Sequence, residues 1–344
     1  MTASGTWVVK VSGKWYLMGA EDLTGKLFEL LEERGYQIIA PTERRGAVVL
    51  SEVREPEEVT LKFTKPVNSP KYFLIPNGEC ILRWSRRGED VVLEEPPVDE
   101  RYAFLCVRPC DANSLVVLDH LLLEEPIDYY YMTRRKQSFV VALSCTAGDE
   151  YCFCESLGTN VPLPGSCDLW LVPAQNGFAA RAMSGEGEIV LRELRLQETS
   201  EPAIPKGVSR AGLSAEALSR LPDLYDDERW AELAKLCLLC GACRSVCPTC
   251  TCYEVVDLVD LDLSSGARVR HWYSCIFRQF TRVAGDRITR AGEAERFKHK
   301  YYHKFVYSKL RYGLYSCVGC GRCAQYCPVH IDPVEVVGVV GGGS

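Results

Sequence analysis

The sequence predicts an α+β protein in which an N-terminal α/β domain is followed by an α-helical domain. Short strand-like runs alternate with an amphipathic helix over the first 200 residues, and helical spacing dominates from residue 226 onward. The stretch between them is rich in Pro, Ser and Glu and has no sustained pattern. We therefore expect domains at 1–200 and 226–337, a linker at 201–225 and a flexible tail, GVVGGGS, at 338–344.

The N-terminal elements follow from apolar periodicity and turn signals. EDLTGKLFELLEERGY predicts a helix, since it places Leu23, Leu27 and Leu31 on one face and Gly35 at its end. Strands are predicted for YQIIAP, GAVVLSEV, YAFLCV, SFVVAL, DLWLVP and GFAARAM, which Gly, Pro and Asp signals separate. These elements predict a sheet with flanking helices.

The C-terminal elements are predicted to be helical. DDERWAELAKLCLLCGAC opens with acidic residues that suit a helix N-terminus, and VVDLVDLDL continues the helical pattern. GEAERFKHKYYHKFVYSKLRYGLYSC predicts another long helix.

The composition indicates a globular protein. The chain has 344 residues, of which 47% are hydrophobic and 25% are charged. Apolar runs such as SLVVLDHLLL at 114–123 end well before the roughly 18 residues that a membrane span needs, and no signal-peptide pattern is visible. We expect a cytoplasmic protein. The net charge of -6 argues against a general nucleic-acid binder, because such binders need a concentrated positive surface.

The chain contains eighteen cysteines, and eight of them follow a spacing that predicts iron-sulfur ligation. A disulfide scaffold is typical of short secreted chains, so metal ligation is the better interpretation. The pattern C-x2-C-x2-C-x3-C, followed by proline, occurs at Cys237, Cys240, Cys243 and Cys247 and again at Cys317, Cys320, Cys323 and Cys327. In this pattern three thiolates bind one [4Fe-4S] cluster and the fourth binds its neighbour.

We therefore expect crossed ligation of two [4Fe-4S] clusters. The predicted ligands of the first cluster are Cys237, Cys240, Cys243 and Cys327. The predicted ligands of the second cluster are Cys317, Cys320, Cys323 and Cys247. Zinc is the alternative metal, but it gives no reason for the third cysteine, the x3 step and the proline, each present twice. The long helical stretch between the motifs favours an α-helical dicluster ferredoxin domain.

Four further cysteines lie near the ends of predicted strands. They are Cys110, Cys145, Cys152 and Cys154. They are either the ligands of a third [4Fe-4S] cluster or buried apolar thiols, and their spacing alone does not decide between the two.

Several stretches carry a resemblance to a known family. They are RPCDANSLVVLD, CFCESLGT, SPKYFLIPNGECILRW, CPTCTC and the run from WYSCIFRQFTRVAG through HKFVYSKLRYGLYSCVGCGRCAQYCP. They resemble the β subunit of cytosolic NAD(P)-linked [NiFe] hydrogenases, the sulfhydrogenases, and the related electron-transfer subunit of anaerobic sulfite reductase. The resemblance covers nearly the whole chain. It implies an iron-sulfur electron carrier that works beside a flavoprotein subunit, and it favours the third cluster.

Six cysteines remain outside these sets: Cys80, Cys106, Cys167, Cys250, Cys252 and Cys275. Most are expected to be core residues or neighbours of a cluster. Cys250 and Cys252 could donate S–H hydrogen bonds to cluster sulfur and tune its potential. Cys106 or Cys167 could replace one ligand of the third site.

The segment from Arg268 to Arg311, predicted as a basic helical insert, contains twelve Lys or Arg against three acids. Its net charge is +9, so the rest of the chain carries -15. Interleaved aromatic residues allow a nucleic-acid surface. A docking face for an acidic partner, compensation of cluster charge and a solvated helix face also remain open.

No substrate chemistry is expected in this chain. No G-x-G-x-x-G stands between a strand and a helix, and the G-x-G of SGEGEIV leads into a strand pattern, so no flavin or nicotinamide site is predicted. His271, His299 and His303 lack the carboxylates that acid–base catalysis would need nearby, so no catalytic residue is predicted.

The expected function is electron transfer in a hetero-oligomeric oxidoreductase. Two or three [4Fe-4S] clusters would pass single electrons between two partner subunits. One partner would contain FAD and handle NAD(P)H, and the other would be a catalytic metal subunit. Hydrogenase and anaerobic sulfite reductase both remain possible host complexes. The alternatives of other classes are a free-standing iron-sulfur enzyme with an open iron and a zinc-bound scaffold.

Overall fold

A computed structural model describes residues 11–342, which form a mixed α+β fold as expected. The strands are β1 (Trp15–Met18), β2 (Gln37–Arg44), β3 (Ala47–Glu52), β4 (Glu79–Arg87), β5 (Asp90–Glu94), β6 (Tyr102–Val107), β7 (Phe139–Leu143), β8 (Leu169–Ala174), β9 (Gly177–Ala182), β10 (Gln197–Thr199), β11 (Tyr253–Val259), β12 (Ser265–Trp272), β13 (Arg282–Val283) and β14 (Arg287–Ile288). The helices are α1 (Leu27–Glu33), α2 (Lys71–Leu74), α3 (Pro109–Leu122), α4 (Tyr129–Lys136), α5 (Gly185–Leu194), α6 (Ala215–Arg220), α7 (Arg229–Ala234), α8 (Ala242–Val246), α9 (Glu293–Tyr302), α10 (Ser308–Tyr312), α11 (Arg322–Gln325) and α12 (Pro333–Gly341).

The N-terminal part is built on a sheet of eight strands in the order β10-β1-β9-β8-β7-β6-β2-β3. The four neighbours β2, β6, β7 and β8 are parallel, and the outer pairs are antiparallel. One apolar core packs α1 and α5 on one face, and a second packs α3 and α4 on the other. The sheet is therefore covered on both sides, which explains why β7 is buried at every position.

The predictions of the six N-terminal strands and the first helix are confirmed, although a π-helical turn at Asp22–Lys26 precedes α1. The strand expected after SGEGEIV is wrong, because this stretch begins helix α5. Ser184 accepts a hydrogen bond from the Gly187 N–H at 3.0 Å, which caps the helix. A Cβ on Gly187 would collide with the Asp168 carbonyl, so close packing on the sheet requires this glycine.

The C-terminal part contains the predicted long helix, which runs continuously from Glu293 to Tyr312 through a π-helical turn at His303–Tyr307. The helix expected at VVDLVDLDL is wrong. This stretch forms β11, which pairs with β12 in a second sheet of order β11-β12-β4-β5. Its spacing fits a helix, but its Val-rich residues pair with SGARVRHW instead, since strand preference depends on the partner strand.

The basic segment is therefore only partly helical. Residues 268–272 belong to β12, residues 278–288 form short turns and the β13–β14 pair, and the helix starts at Glu293. None of the helices within residues 11–342 is long and apolar enough to cross a membrane.

The two predicted domains are extensively connected. The second sheet joins β4 and β5 of the N-terminal part to β11 and β12 of the C-terminal part. The predicted linker of 201–225 contains α6, which packs against α12 through buried Ala217 and Leu218. The prediction of a flexible tail is wrong for residues 338–341, because they belong to α12 and Val340 is buried. Residues 343–344 of the predicted tail lie outside the described range. The domain bounds themselves stay a prediction.

Candidate iron-sulfur centres

The two cysteine motifs have the same local backbone. In each, a left-handed glycine, Gly241 or Gly321, begins a short helix, α8 or α11. The Leu239 N–H lies 3.4 Å from the Cys237 Sγ, and the Gly319 N–H lies 3.5 Å from the Cys317 Sγ. Each motif is thus a tight loop that directs backbone N–H groups towards its first thiol, an arrangement that stabilises a thiolate.

The thiols of the two motifs meet in two cavities. The first cavity is lined by the thiol-bearing residues Cys237, Cys240, Cys243 and Cys327. The second cavity is lined by Cys247, Cys317, Cys320 and Cys323, together with Cys243, Cys250 and Cys275. Each cavity therefore contains three cysteines of one motif and the fourth cysteine of the other, which is the grouping that crossed ligation requires, and Cys243 lines both cavities.

The second cavity has a lining suited to a cluster with sulfide corners. Phe153, Ile276 and Phe305 supply apolar wall. On the same wall Arg244 Nε and Nη1 and the Tyr301 hydroxyl are buried without a hydrogen-bond partner among the described residues. Cluster sulfur accepts hydrogen bonds, so these donors fit the group. Within residues 11–342, no three His, Cys, Asp or Glu converge on a point suited to one metal ion.

Two buried lysines lie beside Cys247. Lys71 Nζ donates to the Cys247 carbonyl at 2.7 Å and lies 4.1 Å from the Trp272 ring centre. Burial lowers the pKa of Lys71 to about 7. Lys304 Nζ donates to the Thr249 hydroxyl at 2.8 Å, and that hydroxyl lies 3.3 Å from the Cys247 Sγ. Burial alone would lower the pKa of Lys304, but the surrounding thiols raise it on balance, so this lysine remains charged.

Replacing Lys304 with Met is expected to lower the reduction potential of the second-cavity cluster by on the order of 50 mV. A reduced cluster carries one more negative charge, which a nearby cation in a protein interior stabilises. A redox titration followed by electron paramagnetic resonance (EPR) would measure the shift. Lys309→Met, at an exposed position of α10, is the control. An unchanged or raised potential in Lys304→Met would contradict this role.

The four predicted third-site cysteines lie close together beside the second motif. Cys110 lies in the first turn of α3 after β6, and Cys145 follows β7. These strands are parallel neighbours, so their carboxyl ends share one edge of the sheet. Burial, and then the thiols of Cys145 and Cys152, raise the pKa of Cys154 to about 12. Cys152 Sγ lies 3.9 Å from the Cys320 carbonyl oxygen.

The loop that carries Cys152 and Cys154 is pressed against the second motif. The Phe153 N–H donates to the Gly319 carbonyl at 2.8 Å, and the Thr159 hydroxyl donates to the Val318 carbonyl at 2.8 Å. A Cβ on Gly319 would lie 2.6 Å from the Cys154 Cα. The third-site thiols are therefore direct neighbours of the second cavity.

A buried ion pair that sequence reasoning missed connects the same two regions. Arg322 of the second motif and Asp111, which follows Cys110, are both fully buried. Two parallel hydrogen bonds of 2.6 and 2.7 Å join them, and Arg322 also donates to the Pro66 and Asn68 carbonyls. The available signal was a charged residue beside a cysteine in each region: Asp111 follows Cys110, and Arg322 lies between Cys320 and Cys323. The pair fixes the second motif against α3.

The remaining cysteines occupy several environments. Cys250 and Cys275 line the second cavity, and the Cys252 thiol lies next to that of Cys275. Cys106 and Cys167 belong to the two apolar cores on opposite faces of the eight-stranded sheet. The structure thus places Cys250 at the second cavity, and its hydrogen bond to cluster sulfur stays a prediction.

Two of the three histidines of the basic segment, His299 and His303, are buried in a way that disfavours their charged form. Burial lowers the pKa of His299 to about 4 and that of His303 to about 3. Both are therefore neutral at neutral pH. His271 lies in β12, where its ring faces Gly78.

Comparison with known proteins identifies relatives of the chain. Residues 236–331 match the family described as 4Fe-4S dicluster domain. The chain is 31% identical to sulfhydrogenase 2 subunit beta from Pyrococcus furiosus over 331 residues, which span 92% of this chain and 96% of that protein. No solved structure is significantly similar to the chain.

Proposed function

Because the chain belongs to the family of the sulfhydrogenase beta subunit, an iron-sulfur subunit of a multisubunit complex, we propose that it relays single electrons between two other subunits. The donor is a FAD-containing subunit that handles NAD(P)H, and the acceptor is a catalytic metal subunit, or the reverse. One observation supports this most strongly: two cavities, each with the thiols for one [4Fe-4S] cluster, adjoin each other. Such clusters supply one-electron chemistry when bound.

We propose the crossed ligand sets for these clusters. Cys237, Cys240, Cys243 and Cys327 would hold the first, and Cys317, Cys320, Cys323 and Cys247 would hold the second. The grouping of the thiols in the two cavities supports this assignment. Cys243, Ile276 and Lys300 line both cavities, so a single layer of side chains separates them. Electron transfer slows steeply with distance, and so thin a wall favours fast exchange.

We further propose a third [4Fe-4S] cluster on Cys110, Cys145, Cys152 and Cys154. Its support is that four thiols from three separate segments lie near one another and near Cys320. Lys65 Nζ lies 3.6 Å from the Cys152 Sγ and pairs with Asp149, which places a cation next to the thiols. This site would extend the relay beyond the second cluster.

Replacing Cys154 with Ala is expected to lower the iron content from about twelve to about eight atoms per chain, because one cluster of about four irons loses a ligand. Iron analysis and EPR of the anaerobically reconstituted protein would measure this. The matched control is Cys167→Ala, which alters a cysteine in the sheet core. An iron content of about eight in both the wild type and Cys154→Ala would exclude the third cluster.

The proposed function is tested by assembling the host complex without this chain. Oxidation of NAD(P)H by an artificial dye and catalysis with an artificial electron donor should each survive, since each uses one terminal subunit. The coupled reaction between NAD(P)H and the catalytic subunit should be lost, and adding the reconstituted chain should restore it. A coupled rate that persists without the chain would refute the relay.

A further inference from the structure

The surface around Cys240 is where the lining of the first cavity reaches solvent. We define the Cys240 face as Leu236, Leu238, Cys240, Tyr326 and Val329 together with the adjoining loop Arg278–Ile288. We propose that this face docks an acidic one-electron subunit of the same complex, so that electrons pass through the Cys240 side of the first cavity. The inference rests on the proposed relay and adds the place and chemistry of one partner.

Cys240 is the first observation. Of the eighteen cysteines, all of which lie within residues 11–342, Cys240 alone is exposed. It lines the first cavity together with Leu238 and Val329. The thiols of the second cavity and of the third site are all buried or half-buried. The first cavity is therefore the site whose ligands come closest to solvent, and a redox group outside the chain reaches the relay by its shortest path there.

The apolar rim is the second observation. Leu236 and Leu238 are 60% and 62% exposed, and Tyr326 and Val329 are 37% and 38% exposed. Leu238 and Val329 line the first cavity, and Leu236 and Tyr326 directly precede its cysteines Cys237 and Cys327 in the chain. Scattered apolar residues on a surface are ordinary, but a group gathered at the rim of one opening indicates a contact that excludes water. Excluding water at this point would also shield the exposed ligand.

The charge beside the rim indicates the partner's character. Phe277 packs against Gly241, since a Cβ there would lie 2.7 Å from the Phe277 ring. The loop that follows exposes Arg278, Arg282 and Arg287, and its one acid, Asp286, lies 3.7 Å from Arg282. An excess of arginine around an apolar patch favours a partner with acidic residues around its own redox group, because complementary charge orients the encounter.

Hydrogen exchange of the assembled complex tests the proposal without altering the chain. Residues 236–241 and 326–330 should exchange at least ten-fold more slowly in the complex than in the reconstituted chain alone. The proposal is contradicted if hydrogen exchange in both segments is the same with and without the complex, and only another surface such as β11 is protected. Protection already present in the isolated chain as a dimer would also overturn the proposal, since a second copy would then cover the face.

Two sets of variants test the apolar rim and the arginines. Leu238→Glu with Val329→Glu should lower the coupled rate at least ten-fold, whereas Leu310→Glu, at a position 75% exposed on α10, should change it less than two-fold. With Arg278, Arg282 and Arg287 all changed to Glu, the docked partner should dissociate at a lower salt concentration than it does from the wild-type chain. The matched control changes the exposed Arg54, Lys62 and Lys206 to Glu, and it should leave the salt concentration of dissociation unchanged.

Iron content and EPR separate failure of docking from failure of the relay. Docking variants that keep the full iron content and clusters reducible by dithionite, but lose the coupled rate, support the Cys240 face. Docking variants that keep both their clusters and the coupled rate refute it and leave the relay intact. A wild-type chain without clusters refutes the relay itself.

Discussion

Replacing Cys247 with Ser is expected to remove the cluster proposed for the second cavity and to leave the one proposed for the first. Cys247 belongs to the first motif in sequence, but its thiol lines the cavity of the second motif. A serine oxygen is a weaker ligand for cluster iron than a thiolate, so the iron content should fall by about four atoms per chain. EPR of the reduced protein should retain the signal of the remaining cluster.

The mirror variant makes this prediction specific. Cys327→Ser should remove the first-cavity cluster and spare the second, because the Cys327 side chain lines the first cavity. Cys80→Ser, on β4, serves as the control and should keep all the iron. If Cys247→Ser abolishes the first-cavity signal alone, ligation is not crossed.

Replacing Arg322 with Met destabilises the folded protein by about 3–5 kcal/mol. The substitution leaves the Asp111 carboxylate buried, without its charge partner, and a buried unpaired charge is strongly destabilising. It also leaves the Pro66 and Asn68 carbonyls without a donor. Anaerobic urea unfolding, followed by circular dichroism, would measure the free energy of unfolding.

An exposed pair supplies the matched comparison. Arg268 and Asp257 form a similar bidentate pair across β11 and β12, but their side chains are 48% and 54% exposed. Arg268→Met should cost far less stability than Arg322→Met, since surface ion pairs contribute little. Adding Asp111→Leu to Arg322→Met should recover part of the lost stability, because it removes the stranded charge. Equal costs for Arg322→Met and Arg268→Met would show that burial of the pair contributes no stability.

The features that sequence predicted are those with a local pattern. The cysteine spacing, the central strands and the helix from Glu293 to Tyr312 are each encoded within a short window. Strand β11 was not predicted, because the spacing of its apolar residues fits a helix. It forms a strand because it pairs with β12. Helix α5 escaped because the run that follows its G-x-G also fits a strand, although Ser184 supplies a cap signal.

The third-site neighbourhood depends on tertiary structure. Cys110 and Cys145 approach each other because β6 and β7 are adjacent and parallel. The sequence around either cysteine does not show that these two strands are neighbours. Arg322 and Asp111 are 211 residues apart in sequence, so no periodicity links them. Sequence therefore identified thiols that could be ligands, whereas the fold determines which of them share a cavity.

Mössbauer spectroscopy of the anaerobically reconstituted, iron-labelled chain tests the central claim most directly. That claim is that the clusters are ligated by thiolates alone and carry electrons without binding substrate. The account predicts that the iron of the oxidised protein appears only as [4Fe-4S] clusters with uniform thiolate ligation. A distinct subsite from one iron of a cluster, shifted when substrate is added, would contradict it and indicate an enzyme with an open iron.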